Sequence, residues 1–336
     1  MEIKKQDLLT ALEIVKPGLA SKELIEQSTS FAFIGNRVVT YNDEISISHP
    51  VEGLDLTGAV QAEELYKLLN KLKKDEVSIE VRGGEIVMQS GRTKASFTLQ
   101  EEIKLPLDEI GNRGKWKKLP EDFIHFLKLS IGAASTNMSE PKLTCIHVHK
   151  EGRIEASDGY KVSRSTLGEE FPIDTFLIPA TSASELVKMA PVRITDGEGW
   201  VHFRTKKGTQ ISCRTFDDVF PKIDHLLEVV GMEIEFPETI LEIVEKATIF
   251  SKRNYFLDEQ LTITLGNRKV KVESKSETAK FEESAIMKNY TEEPFSFNVT
   301  PYLLKDILER TRVCILSDDK LKFEGAGWEY ITALRN

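Results

Sequence analysis

The sequence predicts an α+β protein of three like domains, each a doubled motif of one helix followed by antiparallel strands. Three observations predict it. A unit of short apolar strand, amphipathic helix and three strands divided by tight turns occurs three times in fixed order. A related helix-plus-strands half-unit precedes each copy, and irregular charged segments separate the copies. Self-similarity at this scale means an array of like domains, and 336 residues exceed what one core accommodates comfortably.

The first half-unit opens on a helix over Gln6 to Val15, whose apolar positions Leu8, Leu9, Leu12 and Val15 follow the helical period. Strands at Ser30 to Ile34 and Arg37 to Tyr41 flank the hairpin signal Gly35-Asn36, and Ile45 to Ser48 follows. Val60 then leads into a helix over Gln61 to Leu72, and strands Val77 to Val81, Glu85 to Gln89 and Lys94 to Leu99 are parted by Gly83-Gly84 and Ser90-Gly91. The second domain repeats this order. Helix Pro120 to Ile131 precedes strands Leu143 to Val148 and Arg153 to Ala156; Phe176 to Pro179 leads to a helix near Ser182 to Met189 and strands Val192 to Thr195, Trp200 to Arg204 and Gln210 to Arg214. In the third, helix Glu238 to Phe250 precedes Leu261 to Leu265 and Lys269 to Glu273. Phe295 to Val299 then leads to a helix over Pro301 to Thr311 and strands Arg312 to Leu316, Lys320 to Phe323 and Trp328 to Leu334. Six helices result. The aperiodic segments Leu105 to Lys118 and Asp224 to Pro237 place boundaries near 117 and 230, giving domains 1–117, 118–230 and 231–336.

A hydrophobic content of 40% with 29% charged residues is that of a globular protein, and no apolar run approaches the roughly 20 residues that span a bilayer. Met1 to Lys5 enters a helical pattern without the apolar core of a signal peptide, so a cytoplasmic location without membrane contact is expected. Cys145, Cys213 and Cys314 each stand alone in an apolar strand pattern, which argues for buried thiols and against disulfides or zinc. A formal net charge of -9 counts against nucleic-acid binding unless charge is unevenly distributed. It is uneven. The helix from Glu63 to Lys74 opens acidic and closes basic through Lys67 and Lys71, as the helix dipole favours. Lys16, Lys128, Lys188, Lys246, Lys252, Arg253 and Arg310 lie on or just after other helices.

No catalytic constellation stands out, so no enzymatic activity and no cofactor are expected. Gly111 to Lys115 lacks the spacing and the Ser/Thr of a P-loop. His147 and His149 alternate on one strand, but no further ligand residue is near in sequence, so no metal is expected. Ser157-Asp158-Gly159 lacks the nucleophile-elbow frame and reads first as a turn.

Glu155 to Arg164, which reads Glu-Ala-Ser-Asp-Gly-Tyr-Lys-Val-Ser-Arg, resembles the Ala-Thr-Asp-(Gly/Ser)-His-Arg-Leu-Ala segment of the bacterial beta sliding clamp family, the processivity subunit of DNA polymerase III. Ser90 to Lys94 is similar to that family's Ser-Gly-Arg-Ser-Arg, Phe220-Pro221 to its Phe-Pro before the third domain, and Phe297-Asn298-Val299 to its Phe-Asn-Val. The likeness runs in order along the whole chain. It implies the DNA clamp fold, with helices inside and sheets outside a ring of two chains joined head to tail. Twelve helices spaced about 10 Å apart set their axes on a circle about 38 Å across and leave a bore of about 28 Å, enough for duplex DNA; six helices leave about 9 Å. The functional unit is therefore expected to be a homodimer closed by a repeated heterologous contact. By resemblance, that contact joins Ala95 and Phe97 of one chain to Ile249 and Phe250 of the other.

The ring also reconciles acidity with DNA binding, because basic residues would face the bore and contact phosphates without sequence preference. Family positions that touch DNA fall on Lys22, Asn137, Lys142 and Lys252, and the helix pattern adds Lys67, Lys71, Lys188, Lys246 and Arg310. Glu140 and Pro141 stand where the family can carry Arg and Tyr. The resemblance further implies a hydrophobic groove for peptides of DNA polymerase and of a clamp-loader ATPase. Its positions are Leu143, Ser157, Gly159, Tyr160, Val162, Pro221, His225, Leu226, Tyr330, Thr332, Leu334 and Arg335. Tyr160 replaces the family His, and Thr332-Ala333-Leu334-Arg335-Asn336 replaces Met-Pro-Met-Arg-Leu, which points to an altered peptide preference and to a phage or prophage member. The expected function is thus a DNA sliding clamp; the alternatives are a monomeric clamp-fold scaffold that does not encircle DNA, and a repeat-built hydrolase using Asp158 and His147.

Overall fold

The structure, a computed structural model, describes residues 1–111, 114–253, 259–287 and 294–334, apart from the side chain of Asp306. Its α-helices are α1 (Lys5–Val15), α2 (Ala62–Lys71), α3 (Phe123–Ile131), α4 (Ala180–Met189), α5 (Asp224–Leu227), α6 (Ile240–Ser251) and α7 (Pro301–Leu308). The six expected helices are present, and α5 is one further turn inside the segment expected to be a linker. Local chemistry sets the ends. The Asp75 carboxylate accepts the Gln6 N–H at 3.1 Å and caps the first turn of α1 from a distance in sequence. Pro301 at the first position of α7 uses a site where no amide donor is needed. Buried faces follow the apolar period: Leu8, Leu9, Leu12 and Val15 on α1; Leu65 and Leu69 on α2; Ile243, Val244 and Ala247 on α6.

The chain forms two compact units: residues 1–124 with 171–217, and 125–170 with 218–336. Each unit thus holds one whole repeat and half of the second. In the first unit, strands Leu56–Gln61, Ser30–Gly35, Arg37–Tyr41, Ile45–Pro50, Gln210–Arg214, Trp200–Arg204, Arg193–Gly197 and Lys117–Lys118 lie in that order in one antiparallel sheet. Its central seam pairs Ile45–Pro50, the third strand of one half-unit, with Gln210–Arg214, the third strand of another; Ile47 lies opposite Ile211. A separate sheet has the order Glu2–Lys4, Glu76–Arg82, Glu85–Ser90, Thr93–Thr98. The core beneath includes Phe31, Val38 and Ile47, and Tyr41 meets Trp200 at 6.0 Å between ring centroids. Gly58 allows a close crossing: its φ is +136°, and a Cβ there would stand 2.4 Å from Leu99 Cδ1.

The second unit repeats the plan. Strands Cys145–Val148, Arg153–Ser157, Lys161–Thr166, Trp328–Ala333, Lys320–Gly325, Val313–Leu316 and Met232–Glu235 follow one another in an antiparallel sheet. Its seam again joins two third strands, with Val162 opposite Ile331 and Ser163 opposite Tyr330. The other sheet has the order Lys280–Ile286, Lys269–Lys275, Leu261–Gly266, Phe295–Val299.

Several elements differ from expectation. Glu2–Lys4 is a strand, because it pairs with Glu76–Ser78 before α1 begins. Leu143 and Thr144 belong to a 3₁₀ turn, Pro141–Thr144, opened by Pro141, so the strand begins at Cys145. Lys117–Lys118 and Met232–Glu235 lie in presumed linkers yet extend the two larger sheets. The third strands Lys161–Thr166 and Lys280–Ile286 lack an apolar run; the first buries Lys161, Ser163 and Ser165, and the second alternates polar residues with only partly covered ones. Cys145, Cys213 and Cys314 are free and buried, and burial pushes the Cys213 thiol well up.

His202 is buried on Trp200–Arg204, 2.9 Å from the Ser212 hydroxyl, and burial lowers it from the usual imidazole value of 6.5 to about 4. The unfolded chain therefore binds this proton at higher pH than the folded one does. Stability from this group is full above pH 6.5 and falls as pH drops toward 4, by about 3 kcal/mol in all. Urea midpoints of the wild type and of His202→Gln should diverge over this window; a parallel pH dependence would contradict the assignment.

Candidate nucleic-acid interface and peptide groove

The cations expected to meet DNA fall into two groups. Lys67 on α2 is paired with Glu63 one turn earlier, and Lys188 on α4 lies 2.6 Å from Glu185. Lys246 on α6 reaches Glu242 at 2.9 Å and Glu283 at 3.3 Å, and Lys252 just beyond reaches Glu259 at 3.2 Å. The exposed pairs of Lys67, Lys188 and Lys246 contribute about 0–1 kcal/mol, so a phosphate competes with them at little cost, whereas Lys252 is held more firmly because Glu259 is buried. Lys22, Lys71, Lys142 and Arg310 have no carboxylate partner among the described residues. Lys22, Lys71 and Arg310 are exposed and Lys142 is half-buried in the 3₁₀ turn. Asn137 is exposed, and its Oδ1 accepts the Ser139 N–H at 3.0 Å, which holds the loop rather than presenting the amide oxygen.

The groove positions converge in the second unit. Ser157, Gly159 and Tyr160 form the turn between two sheet strands. Asp158 Oδ1 accepts the N–H groups of Tyr160 and Lys161, each at 2.8 Å, and Gly159 takes a φ of +87°. This leaves Tyr160 46% exposed at the tip. Val162, Tyr330 and Thr332 are buried on adjacent strands, and the Tyr330 hydroxyl donates to the Leu303 carbonyl at 3.1 Å, which anchors it to α7. Leu143 is buried in the 3₁₀ turn and Leu334 half-buried, its N–H bonded to the Asp319 carbonyl at 2.8 Å. Arg335 lies outside the described residues. Pro221 precedes α5, which carries exposed His225 and half-buried Leu226 and packs on strand Trp328–Ala333.

A cavity of about 360 Å³ adjoins this turn and includes Asn137, Leu143, Tyr160, Lys161 and Tyr302 in its lining. Its wall contains a polar cluster that sequence reasoning missed. Lys161, only 5% exposed, holds its ammonium 4.4 Å from the centre of the Tyr302 ring and 3.9 Å from Asp158, and the Tyr302 hydroxyl donates to Asp158 Oδ2 at 3.1 Å. No periodic signal marks such a cluster, because its members come from a turn and from the first turn of α7.

A second network secures α5. Glu155, buried, takes His147 Nδ1 at 2.9 Å and Arg164 at 2.6 Å, and Arg164 reaches Asp224 of α5 at 2.9 Å. Burial alone would raise the Glu155 carboxyl, but His147 and Arg164 together hold it below the usual carboxylate range. His147 also stacks on Phe220, 5.0 Å between centroids. Asp158 is occupied by its turn and by Tyr302, so the residues of the hydrolase alternative serve separate structural networks. Among the described residues no cluster of three or more His, Cys, Asp or Glu side chains could hold a metal ion.

The positions expected to join chains flank two sheet edges. Ala95 and Phe97 are half-buried on Thr93–Thr98, and that strand is an edge of the smaller sheet in the first unit. In the second unit Phe250 stacks on Phe281 of the edge strand Lys280–Ile286, 5.4 Å between centroids, and Ile249 beside it is 70% exposed.

No protein-family model and no curated relative matches the sequence. Solved structures do match over the full length. The DNA polymerase III subunit beta of Pseudomonas aeruginosa superposes with a TM-score of 0.84 at 17% identity, covering 100% of this chain and 99% of that one. The chain has the sliding-clamp fold. The DNA polymerase sliding clamp of Bacillus subtilis matches with a TM-score of 0.82 at 17% identity, and the beta subunit of Thermotoga maritima with 0.83 at 16%; each comparison covers 100% of this chain and 98% of the other. In this clamp fold no described helix is long and apolar enough to cross a membrane.

Removing the Glu155 carboxylate leaves Arg164 half-neutralised in a buried site. Glu155→Gln is expected to destabilise the second unit by about 3 kcal/mol in urea unfolding, whereas Asp224→Asn, at the exposed end of the network, should change stability little. Equal effects of the two would contradict the network.

Proposed function

We propose that this chain is a DNA sliding clamp, a ring-shaped homodimer that encircles duplex DNA without sequence preference and holds a DNA polymerase through the Tyr160 groove. The observation that carries the proposal is the fate of the third strands. Ile45–Pro50 joins Gln210–Arg214, and Lys161–Thr166 joins Trp328–Ala333, each pair making the seam of a larger sheet. Thr93–Thr98 and Lys280–Ile286 are the two third strands left as edges of four-stranded sheets among the described residues. By the logic of the repeat, these two belong together. Their joining across copies would cover both aggregation-prone edges. Charge supports the match, since exposed Arg92 and Lys94 flank or sit on one edge, while Glu282 and Glu283 outnumber Lys280 on the other.

Two copies of three domains, bounded near residues 117 and 230, bring twelve helices to the ring. Lys22, Lys71, Lys142 and Arg310 then offer to phosphate cations that have no carboxylate partner among the described residues, Lys67, Lys188 and Lys246 offer weakly paired ones, and Lys252 would have to leave buried Glu259. Retention depends on topology rather than on tight contact, which suits a chain of net charge -9. The clamp catalyses nothing itself, acts in the cytoplasm and requires an ATP-dependent loader to open it. Tyr160, exposed at the rim, and the Lys161–Tyr302–Asp158 wall suit a peptide that combines an apolar anchor with a polar flank.

Loaded protein should stay on nicked circular DNA and leave when the circle is linearised. Loss at the same rate from both forms would overturn encirclement. Light scattering should give twice the mass of one chain for the wild type and one chain's mass for Phe97→Asp combined with Ile249→Asp. A wild-type monomer at micromolar concentration would favour the scaffold instead.

A further inference from the structure

The first unit contains a cleft of about 610 Å³ between the segment that follows α1 and the opening turns of α2, separate from the groove described above. Leu19 and Ala20, both half-buried, give its accessible apolar surface, with buried Phe31 and Ala62 beneath, and Lys16, Lys22 and Lys67 stand around it. The charges are not equivalent. Glu63 neutralises Lys67, and Glu23 accepts the Gln27 N–H at 2.7 Å. Lys16 and Lys22 have no carboxylate partner among the described residues. Lys16 is nevertheless positioned, with its ammonium 4.4 Å from the centre of the Tyr66 ring. A cation already held by an aromatic face loses less side-chain freedom when an anion arrives. On the wall, the Gln61 amide donates to Thr29 Oγ1 at 3.1 Å and its oxygen accepts from Ser30 Oγ at 3.0 Å, so exchangeable donors and acceptors face the apolar surface.

Two available ammonium groups beside a half-apolar cleft of ligand size call for a molecule with an anionic end and a flat, partly apolar body. We propose that this cleft binds one nucleoside phosphate unit, its phosphate at Lys16 and Lys22 and its sugar and base over Leu19 and Ala20, beside Tyr66. A peptide carboxylate would engage the ammonium groups but leave most of the volume unfilled, whereas a nucleotide uses both features. The site does not depend on ring closure. Its nucleotide comes either free from solution or as one unit of a single strand.

The test uses the full chain with two photoreactive probes, 5-iododeoxyuridine monophosphate and a single-stranded dodecamer carrying one 5-iododeoxyuridine. Crosslinks mapped by mass spectrometry should fall on the peptides containing Tyr66 or Leu19. Lys16→Ala with Lys22→Ala should weaken binding about tenfold or more, the loss expected for one charge-assisted contact. Lys22→Ala alone, on an exposed loop, provides a variant whose fold is not at risk. Labelling by the monophosphate supports a free nucleotide as the source, and labelling by the dodecamer alone supports a strand. Crosslinks outside the cleft, unchanged affinity in both variants, or tighter occupation of the cleft by an aspartate-rich peptide would overturn the proposal. Retention of the wild type on nicked circles reports encirclement separately: a wild-type clamp that is retained but never labelled loses this site and keeps its function.

Discussion

The constraint on which the rest of the structure depends is main-chain pairing between third strands of different half-units. A strand's edge carries unpaired N–H and C=O groups that must be bonded or hydrated. In the first unit, Ile45–Pro50 meets this need with Gln210–Arg214, which fuses two half-units that lie far apart in sequence. In the second, Lys161–Thr166 does so with Trp328–Ala333. The helices pack on sheets whose width these seams set, and the turn bearing Tyr160 is placed beside Thr332 because the seam fixes its register. The compact units therefore cut across the second repeat.

Electrostatics is arranged at shorter range. Several basic side chains on the helices lie near a glutamate, as Lys246 lies near Glu242 and Glu283, so part of their charge is neutralised locally. The buried charges behave differently. Glu155 and Arg164 are shielded from solvent and sit in one network with His147, which makes them structural elements of the sheet rather than reactive groups.

Helices and hairpins were legible in the sequence wherever an apolar period or a glycine turn marked them, as in α2 and around Gly83-Gly84. Strands without such marks were not. Lys280–Ile286 alternates charge with Phe281, Ala285 and Ile286, and Met232–Glu235 has four residues and one buried side chain, Ile234. Such strands exist because a neighbour supplies hydrogen bonds, and that information lies elsewhere in the chain. The groove was legible only by resemblance for Val162 and Tyr330, whose burial is ordinary core packing. The Lys161–Tyr302 contact unites residues 141 positions apart and left no local trace.

The edge strands Thr93–Thr98 and Lys280–Ile286 differ from each other, so copies joined through them would meet by unlike surfaces. A self-complementary patch is exhausted once two copies meet. Unlike edges are not, because every added copy presents a fresh one, and the series ends only if the last edge returns to the first. A filament and a closed circle would use the same bond. What would separate them is the bend contributed by each subunit, which the bond itself does not fix.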